Sequence, residues 1–219
     1  MRIGTYYRYK LLKKLGIFSD IKSNSKVLDV GGFDGFILSK LKASKKILID
    51  PNAKKEFSDV EYLKENLFSH DFKNEKFNFI LSLDVLEHIP KEKESEYFSR
   101  IYSLLEKNGQ AIITTPSKEI KIFPNVLRKV ISKKWGHNKC LGYTKKELED
   151  LLKTAKIKDY KIYAYNSRYY LNTYLLIRFL QIILPSILLK KILLKIANKD
   201  AKLNDDSNSR GYYLIKVKK

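Results

Sequence analysis

One cysteine, Cys140, is all that 219 residues contain. That excludes an internal disulfide framework and leaves too few thiols for a zinc cluster, so a reducing, cytoplasmic setting is expected. A secretory signal is also missing: Met1–Leu15 is basic and tyrosine-rich, with no apolar core followed by a small-residue cleavage site. No run of about 18 uncharged apolar residues is present, so no membrane-spanning helix is expected. Internal repeats and compositional boundaries are absent too. The length suits one α/β domain over residues 1–219 and is short for two.

Acidic residues are few, with 24 Asp and Glu against 44 Lys and Arg, a net charge of +20. Such a balance fits a nucleic-acid partner, an anionic membrane surface, or a general compositional bias. The excess is nearly all lysine and is spread along the chain. Arginine, which makes the bidentate contacts of nucleic-acid sites, is scarce, and nucleic acid is the weaker reading.

What is present is an alternation of strand and helix signals. Lys26–Val30 is an apolar run closed by Gly31-Gly32, a buried strand entering a tight turn. Phe36–Leu41 has helical spacing. Ile47–Ile49 is a second strand, ending at Asp50 and stopped by Pro51; Val60–Leu63 reads as a third and Phe77–Leu83 as a fourth. Lys91–Leu105 is an amphipathic helix, Asn108-Gly109 its closing turn, and Gln110–Thr115 a fifth strand. Ser117–Leu141 is a long excursion with a helical signal at Val126–Ile131. Thr144 and Glu147 form a capping box before a helix over Glu147–Ala155. Tyr160–Tyr165 and Gly211–Val217 alternate as strands do. Residues 166–210 form an insertion between them, with a polar tail at Asn198–Arg210. Strands alternating with helices imply right-handed βαβ units and a mainly parallel sheet.

The segment Val27-Leu28-Asp29-Val30-Gly31-Gly32-Phe33-Asp34-Gly35 carries the chemistry. A glycine-rich turn after the first strand lets a ligand approach backbone at the carboxyl edge of an open sheet. Asp50, at the end of the second strand, is placed to accept hydrogen bonds from ribose hydroxyls. Asp29 and Asp34 beside the turn would repel the pyrophosphate of a dinucleotide and attract a sulfonium and an ammonium. The G-x-G-x-x-G spacing of dinucleotide sites is missing. In the plainer alternative, Asp29 only caps the turn and Asp34 is a solvated residue at a helix start.

These residues, together with Ile47–Asp50 and Phe77-Asn78-Phe79-Ile80-Leu81-Ser82-Leu83-Asp84-Val85-Leu86-Glu87-His88-Ile89, resemble class I, Rossmann-like S-adenosylmethionine-dependent methyltransferases. The likeness is greatest to the subgroup related to ubiquinone and menaquinone biosynthesis and to small-molecule or glycan methylation. Leu86-Glu87-His88-Ile89 is its most specific element, Gly109–Pro116 matches the family's fifth strand, and the likeness covers about residues 25–165. It implies Gly31, Gly32 and Gly35 around the methionine moiety and Asp50 on the ribose. It sets Asn66 and the backbone of Leu67 beside the adenine, and Leu83 and Asp84 at the border of the donor's methionine end and the acceptor pocket. Phe33 stands where the family has a middle glycine, and Asn78 where an aspartate is common.

Methyl transfer from a sulfonium needs positioning first, and an oxygen acceptor also needs a base. The candidates are Asp84, His88 and His137; His88 also suits a structural bond to its loop, and His70 reads as a surface residue. Tyr169–Leu184 and Ile187–Ala197, separated by Pro185, are two short helical signals interrupted by Arg178, Lys190, Lys191 and Lys195. They suit either packing over the sheet as a lid or lying at the interface of an anionic membrane. The fold expected is α/β: a seven-stranded Rossmann-like sheet, mostly parallel with an antiparallel last strand, and helices on both faces. The function expected is methyl transfer from S-adenosylmethionine to a small-molecule, sugar or lipid-linked acceptor, with no metal. The alternatives are RNA methylation, and a membrane-surface protein that has lost donor binding through Phe33.

Overall fold

The computed structural model describes residues 3–120, 142–165, 173–204 and 211–219. Seven strands form one sheet: β1 (Lys26–Val30), β2 (Lys45–Ile49), β3 (Glu61–Leu63), β4 (Phe77–Leu83), β5 (Leu105–Pro116), β6 (Tyr160–Tyr165) and β7 (Tyr212–Lys218). Their order across the sheet is β3-β2-β1-β4-β5-β7-β6. Strand β7 runs antiparallel to both its neighbours, β5 and β6, while the other pairings are parallel. The expected architecture is therefore the observed one.

Side chains of alternate strand positions fill two cores, one on each face of the sheet. Val27, Leu48, Leu81, Ile112 and Leu214 face one core, which helices α1 (Ile3–Lys14) and α5 (Ser186–Asp200) cover. Leu28, Ile47, Ile80, Ile113 and Ile215 face the other, covered by α2 (Glu94–Leu104) and α3 (Lys145–Thr154). A further helix, α4 (Tyr174–Ile183), precedes α5. The break between α4 and α5 falls at Pro185, where an extended backbone (φ −56°, ψ 142°) starts α5.

Three local expectations change. Phe36–Leu41 holds only one 3-10 turn, Leu38–Lys40, because Leu41 is already extended and Ser44 bonds back to the Ser25 carbonyl (2.9 Å). The helix expected from Lys91 begins as a 3-10 turn, and α2 proper starts at Glu94 and stops at Leu104. Leu105 instead opens β5 opposite Phe77; the register then jumps to Phe79 opposite Gln110. Asn108-Gly109 is thus an irregularity inside β5, with Asn108 left-handed (φ 65°) and its N–H bonded to the Lys219 carbonyl (2.6 Å). Helix α1 is the element that the basic N-terminus did not announce. Its buried Ile3, Tyr7 and Leu11 are four residues apart, one stripe of a helix. The helical signal at Val126–Ile131 lies outside the described residues.

Candidate active site

The chain leaves β1 for β2 on one side and returns to β4 on the other. The carboxyl ends of β1 and β4 therefore bound a topological switch point, where open α/β sheets bind ligands. Gly31 turns the chain there with φ 74°, its N–H bonded to the Ile49 carbonyl (2.8 Å). A Cβ on Gly31 would lie 2.5 Å from a Val85 methyl, and one on Gly32 would lie 2.2 Å from Asp29 Oδ2. Both positions have room for backbone only, so the loop after β1 lies directly on the loop after β4.

Phe33 has a left-handed conformation (φ 53°), which glycine adopts without steric cost. It keeps that geometry through backbone bonds: its N–H donates to Asp50 Oδ2 (3.1 Å) and its carbonyl accepts from Lys54 (2.8 Å). The ring is partly exposed and belongs to neither core. Asp50 also accepts from the Asn52 N–H through Oδ1 (2.7 Å), so both oxygens are oriented and each retains a lone pair. Asp34 is buried and accepts the Phe36 N–H (3.0 Å), and the Tyr62 hydroxyl donates to its carbonyl (3.0 Å). It is a buried residue that ties its own loop together, not a solvated one.

Asp29 is buried under Gly32. Burial, opposed by Arg8 and reinforced by the charges of Asp34 and Asp50, pushes its carboxyl up to about 8. Asp84 ends β4 in a left-handed conformation (φ 58°). Its N–H bonds to the Thr114 carbonyl (3.0 Å), its carboxylate accepts from the Thr114 hydroxyl (2.6 Å), and the Arg8 guanidinium of α1 donates to Oδ2. One step on, Glu87 is buried and accepts from Thr115 (3.2 Å). Burial, and then the charge of Asp84, raises the Glu87 carboxyl well above its usual range.

Five carboxyl groups therefore surround the ends of β1, β2 and β4, and one guanidinium sits among them. In a chain of net charge +20, this edge concentrates carboxyl groups, two of which, Asp29 and Glu87, burial holds toward their protonated form. A cationic nucleoside fits it. Bare backbone at Gly31 and Gly32 gives close approach, Asp50 offers oriented acceptors to ribose hydroxyls, and Arg8 stands where the acids already hold a positive group. Among the described residues, Arg8 is the cation that holds these acids, which suits an anionic dinucleotide poorly.

The remaining expected residues are spread around this centre. Leu83 is buried at the tip of β4, and Leu67 is buried after β3. Asn66 is exposed; its side chain accepts the Phe68 N–H (3.0 Å) and shapes the loop. His88 is half-buried in a 3-10 turn, its N–H on the Val85 carbonyl (2.9 Å). His70 faces Glu65 (2.9 Å) away from the site. His137 lies outside the described residues.

Sequence reasoning missed Arg8, the pair Thr114 and Thr115, and the role of Glu87. Glu87 was visible inside the Leu-Glu-His-Ile element, but its burial was not. Arg8 is one position from the Ile3, Tyr7, Leu11 stripe, which a search for helical period would have found.

On the side of the sheet covered by α2 and α3, a cavity of about 700 Å³ opens beside the β4 tip. Glu87, Glu94, Glu147 and Asp150 line it beside the apolar Leu151 and the ring of Tyr143, together with Lys91 and Lys118, and Lys118 pairs with Glu147 (3.3 Å). The Tyr143 hydroxyl bonds to Glu94 (2.8 Å). Burial raises the Glu94 carboxyl, against that bond. Among the described residues no group of three His, Cys, Asp or Glu is arranged to hold a metal ion.

Comparison with known proteins agrees with this geometry. The family model described as "Methyltransferase domain" matches residues 3–157. No curated protein matches the chain. Among solved structures, a possible histamine N-methyltransferase from Thermotoga maritima superposes with a TM-score of 0.61 at 16% identity, over 98% of this chain and 91% of that one. Phosphoethanolamine N-methyltransferase 2 from Haemonchus contortus, with S-adenosyl-L-methionine, gives 0.64 at 16% identity, over 95% of this chain and 52% of that one. This chain thus spans about half of the Haemonchus enzyme. N-methyltransferase NodS from Bradyrhizobium japonicum gives 0.52 at 13% identity, over 96% and 85%. At such identities the superpositions speak for the fold, while the family model covers more than half of the sequence. The chain belongs to the methyltransferase-domain family and is a methyltransferase of the Rossmann-like fold.

Proposed function

We propose that the protein transfers a methyl group from S-adenosylmethionine to the nitrogen of a small, positively charged amine. The observation that carries this reading is the cavity beside the β4 tip, which has a ligand's size and more carboxyl groups than lysines on its lining. Glu87 belongs to both the cavity and the acidic donor edge, so an acceptor seated against it is next to the donor. Relatives of the same fold described as N-methyltransferases support the choice of nitrogen. Likeness to the ubiquinone-related subgroup would favour an oxygen acceptor; an acidic lining favours a cation instead.

The bound donor supplies an electrophilic methyl group on a sulfonium, and the chain's own residues do the rest. Asp50 would hold the ribose and the Gly31–Gly32 backbone the methionine moiety, a positioning effect worth up to about 7–11 kcal/mol in favourable cases. Tyr143 and Leu151 exclude water from the acceptor's apolar part. An ammonium has no lone pair, so the acceptor must shed a proton before its nitrogen can attack. Glu87, raised from the usual carboxyl range, is a better-matched proton acceptor than an ordinary glutamate. Thr115 orients its carboxylate.

Two measurements test the reading. Calorimetric titration of S-adenosylhomocysteine should show binding that Asp50→Ala weakens at least about tenfold, about 1.4 kcal/mol. Mass spectrometry of reactions with panels of small amines, phenols and sugars should find methylated amines. Methylation of phenols or sugars alone would overturn the nitrogen assignment and leave donor binding standing. With a reactive amine in hand, Glu87→Gln should lower kcat more than it raises KM and flatten the rise of rate with pH.

A further inference from the structure

Helices α4 and α5 leave a large apolar surface bare. Ile182 is 82% exposed, Ile187 66%, Phe179 60% and Leu176 55%, on both sides of the bend at Pro185. The inner face of the hairpin is accounted for: Ile177, Leu189, Leu193 and Ala197 are buried in the core that α1 shares. The outer face has no such partner among the described residues. Cations flank it, since Lys191 and Lys195 are exposed on the same side of α5 as Ile187 and Leu188, at helical spacings of three, four, seven and eight residues. From Tyr160 to Lys199 the sequence contains no Asp or Glu at all.

We infer that the outer face of the α4–α5 hairpin docks on an anionic phospholipid bilayer. The chemistry matches lipid on both counts, as apolar side chains enter the acyl boundary while flanking lysines reach up to phosphate headgroups. The geometry is interfacial rather than spanning. Helices of 10 and 15 residues fall short of the roughly 20 needed to cross the hydrocarbon core. No described helix is long and apolar enough to cross a membrane. A second copy of the chain is a poorer occupant, because a two-fold contact would bring Lys191 and Lys195 against like charges. RNA is poorer still: the exposed residues are mostly aliphatic, offering little to stack bases on, and Arg178 is bonded to Gln181 (3.2 Å).

The docking face is remote in composition from the donor edge, so the inference stands or falls apart from the methyl-transfer reading. The hairpin nevertheless lies on α1: Tyr7 donates to Asp200 of α5 (2.6 Å), and the next residue, Arg8, reaches Asp84. A docked molecule therefore has one helix between lipid and the donor edge.

The test is flotation of the full-length chain with vesicles of phosphatidylcholine alone or of phosphatidylcholine mixed with phosphatidylglycerol. The wild type should float with the mixed vesicles and much less with the neutral ones, and high salt should weaken the association. Phe179→Ser with Ile182→Ser should cut partitioning tenfold or more. Lys191→Glu with Lys195→Glu should abolish the preference for phosphatidylglycerol. Both pairs are exposed, so thermal unfolding and S-adenosylhomocysteine binding should match the wild type, which separates lost docking from lost folding. Failure of the wild type to float with either vesicle overturns the inference. So does equal flotation with both, or a concentration-dependent dimer in sedimentation that Phe179→Ser with Ile182→Ser dissolves without any lipid binding.

Discussion

Gly32 and Asp29 form the tightest pair at the donor edge, and each makes a separate forecast. A Cβ at position 32 meets the Asp29 carboxyl at 2.2 Å, and Asp29 is itself buried. Gly32→Ala should therefore cost about 1–3 kcal/mol in urea denaturation, the usual price of overpacking. A loss under a few tenths would mean that the loop relaxes freely. Asp29 adds a pH dependence. Its carboxyl titrates near 8 when folded and near the ordinary value of about 3.9 when unfolded, so over that window the folded state holds the extra proton. That contribution is complete below about pH 4 and is lost as pH rises through about 8. The stability of Asp29→Asn relative to wild type should accordingly increase between pH 5 and pH 9. Parallel stability curves for the two proteins over that range would contradict it. None of this was legible beforehand. The sequence shows two aspartates beside a glycine turn, but burial, which sets the sign of the shift, is a property of the packed fold.

Elements were more legible than residues, for a physical reason. Strands β1, β4 and β6 have their expected ends because β1 and β4 are short apolar runs and β6 an alternating one, each bounded by glycine, an acid or polar residues. The α3 start is likewise local: Thr144 accepts the Glu147 N–H (3.2 Å), and Glu147 accepts the Thr144 N–H (2.7 Å). Thr144→Ala should destabilise the protein by about 1 kcal/mol in thermal or urea unfolding. Because Glu147, Asp150 and Leu151 line the cavity, it should also raise the KM for the acceptor without moving S-adenosylhomocysteine affinity. Where local signals failed, a partner distant in sequence decided. Leu105 reads as the last turn of a helix, yet Phe77 pairs with it as strand; Phe36–Leu41 has helical spacing, yet the chain must reach β2 within a few residues. Helix α1 carries no acid in its first turn and gains its order from burial against α5.

At the scale of the whole molecule, the proposed donor site is a carboxyl-rich edge on a chain of net charge +20. Asp29, Asp34, Asp50, Asp84 and Glu87 come from three strand ends, gathered by the order β2-β1-β4, and only the sheet topology makes them neighbours. Arg8 arrives from α1, outside the sheet, and its charge favours the ionised forms of both Asp29 and Glu87. A sulfonium bound at this proposed site would share those acids with the guanidinium, whereas the neutral thioether of S-adenosylhomocysteine would have nothing to share. Removing the guanidinium should therefore favour the charged ligand selectively. In Arg8→Gln, the ratio of S-adenosylhomocysteine Kd to S-adenosylmethionine Kd should rise several-fold, on the order of 1 kcal/mol for charges separated by partly solvated protein. The ratio is the right readout because any loosening of α1 weakens both ligands together and cancels. Calorimetry of the two ligands on the two proteins gives it directly, and its dependence on ionic strength should be modest, since Asp29 and Glu87 are buried. An unchanged or lowered ratio would mean that Arg8 steadies the helix without touching the donor's charge, and the acidic edge would then have to select its ligand by shape.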